Sequence, residues 1–264
     1  MTPDNSQSRD RAVIVPSYNS GRLLDETLRS LLTVWPEVIV VIDGSNDGSE
    51  KRVRAFAESA QGIEVIVQER NLGKGAAVLR GMERAATLGM THAAVFDADG
   101  QHVATEVPRF MAASAAHPEA MILGVPVFGA DAPALRVGGR RVGNWWTNLE
   151  TWWGGIDDSL FGFRVYPIEP ALRILRGMHG GRRFDFDTQL AVRLYWDGVP
   201  PLNLATPVRY PQPETGGVSH FKYVRDNLLL TFVHAGLFIR SLGMMPRLYS
   251  YRRRGRLGPQ QDRP

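Results

Sequence analysis

Short apolar runs and helical-period segments take turns along the first half of the chain. Ala12–Pro16, Val38–Asp43, Ile63–Gln68, His92–Asp97 and Ala120–Val125 are β-branched and nearly continuous, the pattern of strands buried on both faces. Between them, Arg22–Thr33, Glu50–Ala60, Gly75–Leu88 and Thr105–Ala116 read as helices. The alternation predicts an α/β fold, a mostly parallel central sheet flanked by helices. Ligands of such sheets bind beyond the carboxyl ends of the strands. The polar motifs that follow the strands are therefore the places to look for chemistry.

Gly129 to Gly143 breaks the pattern. It is rich in Gly, Pro and Arg without periodicity, and it predicts a mobile loop beside the site. Trp145, Trp146, Trp152 and Trp153 follow on an expected helix, then a strand over Phe161–Pro167 and a helix over Asp187–Trp196. Asn227–Leu242 is apolar but holds His234 and Arg240, and its uninterrupted stretch is shorter than the ~20 residues that span a bilayer. With MMPRLYSYRRRGR behind it, it predicts an amphipathic helix on a membrane surface, arginines on lipid headgroups. Packing on the protein's own core or on a second copy is the alternative. The division expected is a disordered lead over 1–10, one catalytic domain over 11–215 and a C-terminal appendage over 216–264.

Composition narrows the chemistry. The chain has 264 residues, 44% hydrophobic and 22% charged, and no cysteine, so any metal is held by oxygen or histidine. The polar N-terminus has no apolar signal region, which makes the cytoplasm the expected compartment, with the appendage peripheral on the inner face of the cytoplasmic membrane. Net charge is +4, and the arginines from Arg247 onward favour anionic partners. No basic surface interleaved with aromatics is present, so nucleic acid is not an expected partner.

Four motifs follow the strands. In FDADGQH, Asp97 and Asp99 stand one residue apart where a strand should end, so both can point the same way. Two carboxylates that close repel unless a cation lies between them, and a hard divalent ion such as Mg²⁺ or Mn²⁺ would bridge them to phosphate oxygens. In VPSYN, Tyr18 offers a flat face and a hydroxyl to a base or ribose. In VIDGSNDGS, Asp43 can accept from a base N–H, although a generic turn has the same composition. In RNLGKGAAVLRG, Gly73 and Gly75 flank Lys74 at a helix start, a setting that favours phosphate. Neither a P-loop nor a dinucleotide fingerprint is present.

In this order and spacing the four motifs resemble family 2 glycosyltransferases of GT-A fold, over roughly residues 11 to 215. The look is nearest to the dolichol-phosphate-mannose synthase-like branch, whose metal motif reads much like DADGQH. The resemblance implies an inverting transfer from a UDP- or GDP-sugar. It implies that Pro16, Tyr18 and Asp43 line the base pocket, that Lys74 lies near the nucleotide, and that Asp97, Asp99 and Gln101 reach metal and diphosphate. DSLFGFRVYP is similar to the family's acceptor-side segment, with Gly162 and Arg164 in matching places. FDFDTQL is similar to a segment where many members show an acid followed two residues later by Glu. Gln189 stands at that later position, so a base from this segment must be Asp187 or Asp185. A helix N-cap is the alternative role for either. An ionised phosphate acceptor would need no base.

The remaining candidates come from chemistry alone. His220, after a flexible glycine pair, could ligate the metal or close over the diphosphate. Arg140, Arg141 and Arg164 could clamp the diphosphate or an acceptor phosphate. The basic, apolar C-terminus favours a lipid or polyprenyl-phosphate acceptor. Two rival functions remain: a nucleotidyltransferase making the nucleotide sugar, for which PSYNSGR is a poor loop, and a non-catalytic nucleotide-sugar binder at the membrane. Donor base, sugar and oligomeric state are not specified by the sequence.

Overall fold

The computed structural model describes residues 10–128, 134–178, 185–209, 223–255 and 257. Its strands are β1 (Arg11–Ser17), β2 (Val38–Asp43), β3 (Ile63–Gln68), β4 (His92–Val95), β5 (Met121–Val127), β6 (Arg164–Pro167) and β7 (Pro201–Pro207). Its helices are α1 (Gly21–Leu32), α2 (Ser49–Ser59), α3 (Lys74–Thr87), α4 (Val107–Ala116), α5 (Ala134–Glu150), α6 (Ile168–Gly177), α7 (Phe186–Trp196) and α8 (Tyr223–Arg253). The sheet runs β3-β2-β1-β4-β6-β5-β7. It is parallel except where β6 pairs antiparallel with β4 and β5.

Side-chain alternation builds two apolar layers from one strand. Ala12 and Ile14 of β1 enter a layer with Ala77, Val78 and Met82 of α3 and Leu190 and Leu194 of α7. Val13 and Val15 enter the opposite layer with Leu24, Leu28 and Leu31 of α1 and Phe110 of α4. Register then fixes the site. Ser17 pairs with Ile42 and Asp43 with Gln68, so the loops after β1, β2 and β3 leave one edge together.

Several expectations change. The fourth strand ends at Val95, not Asp97, so strand alternation does not orient Asp97 and Asp99; they lie on a turn that closes at Gly100 (φ 74°). The loop expected over Gly129–Gly143 is helical from Ala134, and residues 129–133 lie outside the described residues. Tertiary anchors override the weak propensity of its glycines: Thr147 and Glu150 are buried, and Arg140 is tied to Asp158. Trp152 and Trp153 are beyond that helix, at positive φ (52° and 56°). β6 begins only at Arg164. Two elements were not anticipated. α6 carries the stripe Ile168, Ala171, Leu172, Leu175, and β7 is bounded by the prolines that demote a strand but suit a sheet edge.

The C-terminal helix is longer than expected and divides its apolar residues between two faces. Leu237 and Leu248 join the core beside α7, while Phe232, Ile239, Leu242 and Tyr249 are exposed. No helix among the described residues is long and apolar enough to cross a membrane.

Candidate active site

The edge beyond β1 and β2 is laced by short polar links. Asn19, at φ 49°, donates its N–H to Ser45 Oγ and accepts on Oδ1 from the N–H of Asn46. Asp47 accepts from the N–H of Gly21 at 2.8 Å and of Ser49 at 3.0 Å. Burial would raise its pKa, but these bonds and Arg52 outweigh burial and lower it. Pro16 ends inside β1, and Tyr18 stands 38% exposed above this floor. Asp43 is only 2% exposed. Its Oδ1 accepts from the N–H of Leu72 (2.8 Å) and from Gln68 Nε2 (3.0 Å), and its Oδ2 from the N–H of Gly73 (2.7 Å). Asp43 thus clamps the start of α3 beneath the expected base pocket. Gly44 (φ 63°) lets the clamp close: a Cβ there would lie 2.3 Å from the backbone of Arg70.

The clamp aims Lys74, the first residue of α3, across the sheet edge. Its Nζ lies 2.7 Å from Asp97 Oδ1 and 2.7 Å from Asp187 Oδ2. The lysine therefore joins the acid after β4 to the acid opening α7. Burial alone would push the ammonium down, but the two carboxylates raise its pKa well above the ordinary lysine value. Burial would likewise raise Asp97, yet Lys74 and His102 hold its carboxyl far below the usual range. Asp99 goes the other way: burial raises it, and the charge of Asp97 adds to that. The two neighbouring acids are thus driven apart in proton affinity.

His102 is a participant that the motif contained but sequence reasoning left unassigned. Its Nε2 is 3.5 Å from Asp97 Oδ2, too long for a hydrogen bond. Its ring is boxed by Phe96, Phe161 and Phe163. Asp99 Oδ1 accepts from the N–H of Gln101 at 3.0 Å, a local Asx turn. The Gln101 carbonyl accepts from the N–H of Arg209, and His102 bridges to Val208. The acidic turn is thereby stitched to the chain leaving β7. His220, further along that chain, lies outside the described residues.

The acceptor-side segment is a rigid loop. Asp158 is buried and accepts bidentately from Arg140 Nη1 (2.6 and 2.7 Å), and on Oδ1 from the N–H groups of Leu160 and Phe161. Arg164 is 0% exposed. It donates to the carbonyls of Phe161, Asp187 and Asp158 and to the Tyr166 hydroxyl. The expected phosphate clamp is corrected here. A guanidinium with no exposed surface and four protein acceptors does not reach a ligand, and Arg140 is held by Asp158. Of the three arginines proposed, Arg141 alone is exposed to solvent. What Arg164 does is fix the carbonyl of Asp187, and with it the opening of α7. Gly162 then passes so close that a Cβ would sit 2.1 Å from Asp97 Oδ2 and 2.8 Å from Lys74 Nζ.

The two candidate bases separate. Asp187 turns into the site, Oδ2 on Lys74 and Oδ1 buried with no hydrogen-bond partner. Asp185 is the N-cap residue of α7, and its Oδ2 accepts from Gln189 Nε2 at 2.7 Å. Gln189 in turn accepts from Arg193 at 2.9 Å. Gln189 therefore orders its own helix and does not stand at the Lys74 bridge. Asp97 and Asp99 fit a Mg²⁺-type ion, which takes one or two carboxylates and completes its shell with water and substrate phosphates. Among the described residues no three acids or histidines form a closed cage.

The family model described as "Glycosyl transferase family 2" matches residues 12–167. The UDP-N-acetylglucosamine–dolichyl-phosphate N-acetylglucosaminyltransferase of Methanococcus voltae is 24% identical over 189 residues, 66% of this chain and 75% of that protein. The dolichyl-phosphate beta-glucosyltransferase ALG5C of Trichomonas vaginalis is 30% identical over 204 residues, 68% of this chain and 58% of that protein. The undecaprenyl-phosphate 4-deoxy-4-formamido-L-arabinose transferase of Salmonella choleraesuis is 34% identical over 110 residues, 38% of this chain and 32% of that protein. The chain thus spans about three quarters of the first and about a third of the last.

Proposed function

The chain belongs to glycosyl transferase family 2, and from that premise we propose that it moves a sugar from a UDP- or GDP-sugar to the phosphate of a membrane lipid, with inversion and with a divalent metal. The observation that carries this reading is the bridge Asp97–Lys74–Asp187, which couples a diphosphate-side acid to an acceptor-side acid within one ammonium. The relatives named for dolichyl- or undecaprenyl-phosphate support the acceptor class.

Each residue has a role in this proposal. Pro16 and Tyr18 line the base, over the floor that Asp43 holds. Asp97 and Asp99 hold Mg²⁺ or Mn²⁺, with Gln101 and His220 as further ligands; when bound, the metal stabilises charge on the leaving diphosphate. Lys74 supplies a second positive charge at the same place. Asp187 faces the acceptor. An ionised lipid phosphate needs no proton removed, so Asp187 orients Lys74 and the attacking group and need not act as a base. The exposed apolar face of α8 and its arginines rest on the lipid surface, which puts the acceptor within reach from a peripheral position.

The test is release of nucleoside diphosphate from a panel of UDP- and GDP-sugars, with polyprenyl phosphate, Mg²⁺, Mn²⁺ or EDTA. Metal-dependent release with one donor, lost in Asp99→Ala while the melting profile is unchanged, is the expected result. Full activity of Asp99→Ala, or in EDTA, would sink the metal assignment. Pyrophosphate release from a nucleoside triphosphate would instead favour nucleotidyl transfer.

A further inference from the structure

The bridge from Asp97 through Lys74 to Asp187 is unevenly satisfied. On Asp97 both oxygens are engaged. Oδ1 lies 2.7 Å from Lys74 Nζ. Oδ2 lies 3.5 Å from His102 Nε2 and against Gly162, where a Cβ would stand 2.1 Å away. On Asp187, Oδ2 is 2.7 Å from the same ammonium, but Oδ1 is buried with no hydrogen-bond partner. Asp187 is 8% exposed, so bulk water does little for that oxygen, and an unmet buried acceptor is costly. An ammonium has three donors to distribute, and the carboxylate on one side of it lacks one.

The surroundings leave Nζ room to change partners. A Cβ on Gly162 would stand 2.8 Å from Nζ, so any other residue there would close the space beside the ammonium. The Phe186 ring, one residue before Asp187, has its centroid 6.0 Å from Nζ and attracts the charge toward α7. Asp43 holds the start of α3 through the N–H groups of Leu72 and Gly73, which confines any change to the flexible lysine stem. Lys74 thus has two arrangements. In one, seen here, it is shared between Asp97 and Asp187. In the other it sits on both oxygens of Asp187, which satisfies Oδ1 and frees Asp97. A competing cation favours the second, because two cations on one carboxylate repel strongly where water is scarce.

We propose that Lys74 is a displaceable counter-ion, which neutralises Asp97 in the arrangement seen here and moves onto Asp187 when a divalent cation takes Asp97. The inference rests on the metal reading above and adds an order of events to it. Asp97 then has one cation at a time, and Asp187 becomes fully engaged as the diphosphate side is charged. An Asp187 with both oxygens on an ammonium is a poor base, in keeping with an acceptor that arrives ionised.

The test reads cation binding and the lysine itself, not turnover. Mn²⁺ affinity is measured by electron paramagnetic resonance of the free ion, on the full chain without nucleotide. Lys74→Met is expected to bind Mn²⁺ at least about fivefold more tightly than native protein, the lower end of an ordinary coupling between two sites. The chain has three lysines, Lys51, Lys74 and Lys222. In protein made with isotope-labelled lysine, Lys51→Arg and Lys222→Arg therefore assign the Lys74 Nζ resonance by elimination. Saturating Mg²⁺ should move that signal yet leave it protected from water. In Asp187→Asn the same addition should send it to the position of a solvent-exposed lysine. The resonance needs no change at Lys74, so it decides the matter even where Lys74→Met does not fold. Equal or weaker Mn²⁺ affinity in folded Lys74→Met, or a native Lys74 signal that Mg²⁺ leaves unchanged or releases to water, overturns the displacement; Mn²⁺ binding by native protein would still uphold the metal reading. No Mn²⁺ binding by native protein, with or without UDP or GDP, overturns the metal reading and the displacement with it.

Discussion

Gly162→Ala tests the centre of the site with a single methyl group. Gly162 does not use a left-handed backbone, so alanine is permitted there and the effect is one of space alone. The added Cβ would stand 2.1 Å from Asp97 Oδ2, where ordinary contact is 3.4–4 Å. More than an ångström of movement must come from somewhere. The loop is poorly able to give it: Asp158 holds the N–H groups of Leu160 and Phe161, and Arg164 holds the carbonyl of Phe161. The carboxylate of Asp97 must turn, against its 2.7 Å tie to Lys74. Misplacing a reacting group by about 1 Å costs on the order of 100-fold in rate, and overpacking of this kind costs about 1–3 kcal/mol of stability. The assay pairs nucleoside-diphosphate release under saturating donor and acceptor with a thermal melt. The expected result is a ~100-fold loss of kcat in a protein that melts only a few degrees lower. A Gly162→Ala protein with native kcat would refute the argument, because the Asp97 carboxylate would then not need to be where Lys74 holds it.

Other substitutions separate the roles of neighbouring groups. Arg164→Met leaves three carbonyls and a hydroxyl without their buried donor, so urea denaturation should show a loss of at least about 1–3 kcal/mol, the cost of a buried acceptor left unsatisfied; an unchanged midpoint would refute its anchoring of α7. Asp43→Asn turns one acceptor into a donor that faces a backbone N–H, a loss of about 1–3 kcal/mol, and hydrogen exchange at Leu72 and Gly73 should quicken. Unchanged exchange with weaker nucleotide binding would mean that Asp43 serves the base directly. Glu150 is buried, with Oε1 2.7 Å from His234 Nδ1 and Oε2 unpartnered. Burial raises its pKa, with His234 opposing. The folded state therefore holds its proton more tightly than the unfolded chain, so stability falls as pH rises from 4.5, the group's ordinary value, through its raised folded value. In Glu150→Gln that part of the pH dependence should vanish from the melting curve; a curve that still falls by the same amount would assign it elsewhere.

What could be read in advance followed from local rules. The apolar runs of β1, β2 and β3 and the stripes of α1 and α3 are periodic, and periodicity is a property of consecutive residues. That Asp43 closes a strand, that Lys74 opens a helix and that Asp97 and Asp99 follow a strand on the same edge was legible from those elements, as was their resemblance to one family. Local rules failed where distant residues decided the outcome. Ala134–Glu150 is helical despite its glycines because Asp158 and His234, far along the chain, anchor it. The arginines illustrate the same limit. Arg140, Arg141 and Arg164 look equivalent in the sequence, yet only folding buries Arg164 among four acceptors and ties Arg140 to Asp158.

By itself, then, the sequence determined the alternation of strand and helix, the edge of the sheet where polar motifs gather, and the chemical type of the groups there. Tertiary structure alone decided which charges neutralise one another. Lys74 between Asp97 and Asp187 spans 113 residues, and a pairing over that distance is set by the crossing of helices over a sheet. Pairing matters more than identity, because the proton affinity of a buried charge and its freedom to meet a ligand depend on what lies within a few ångströms of it.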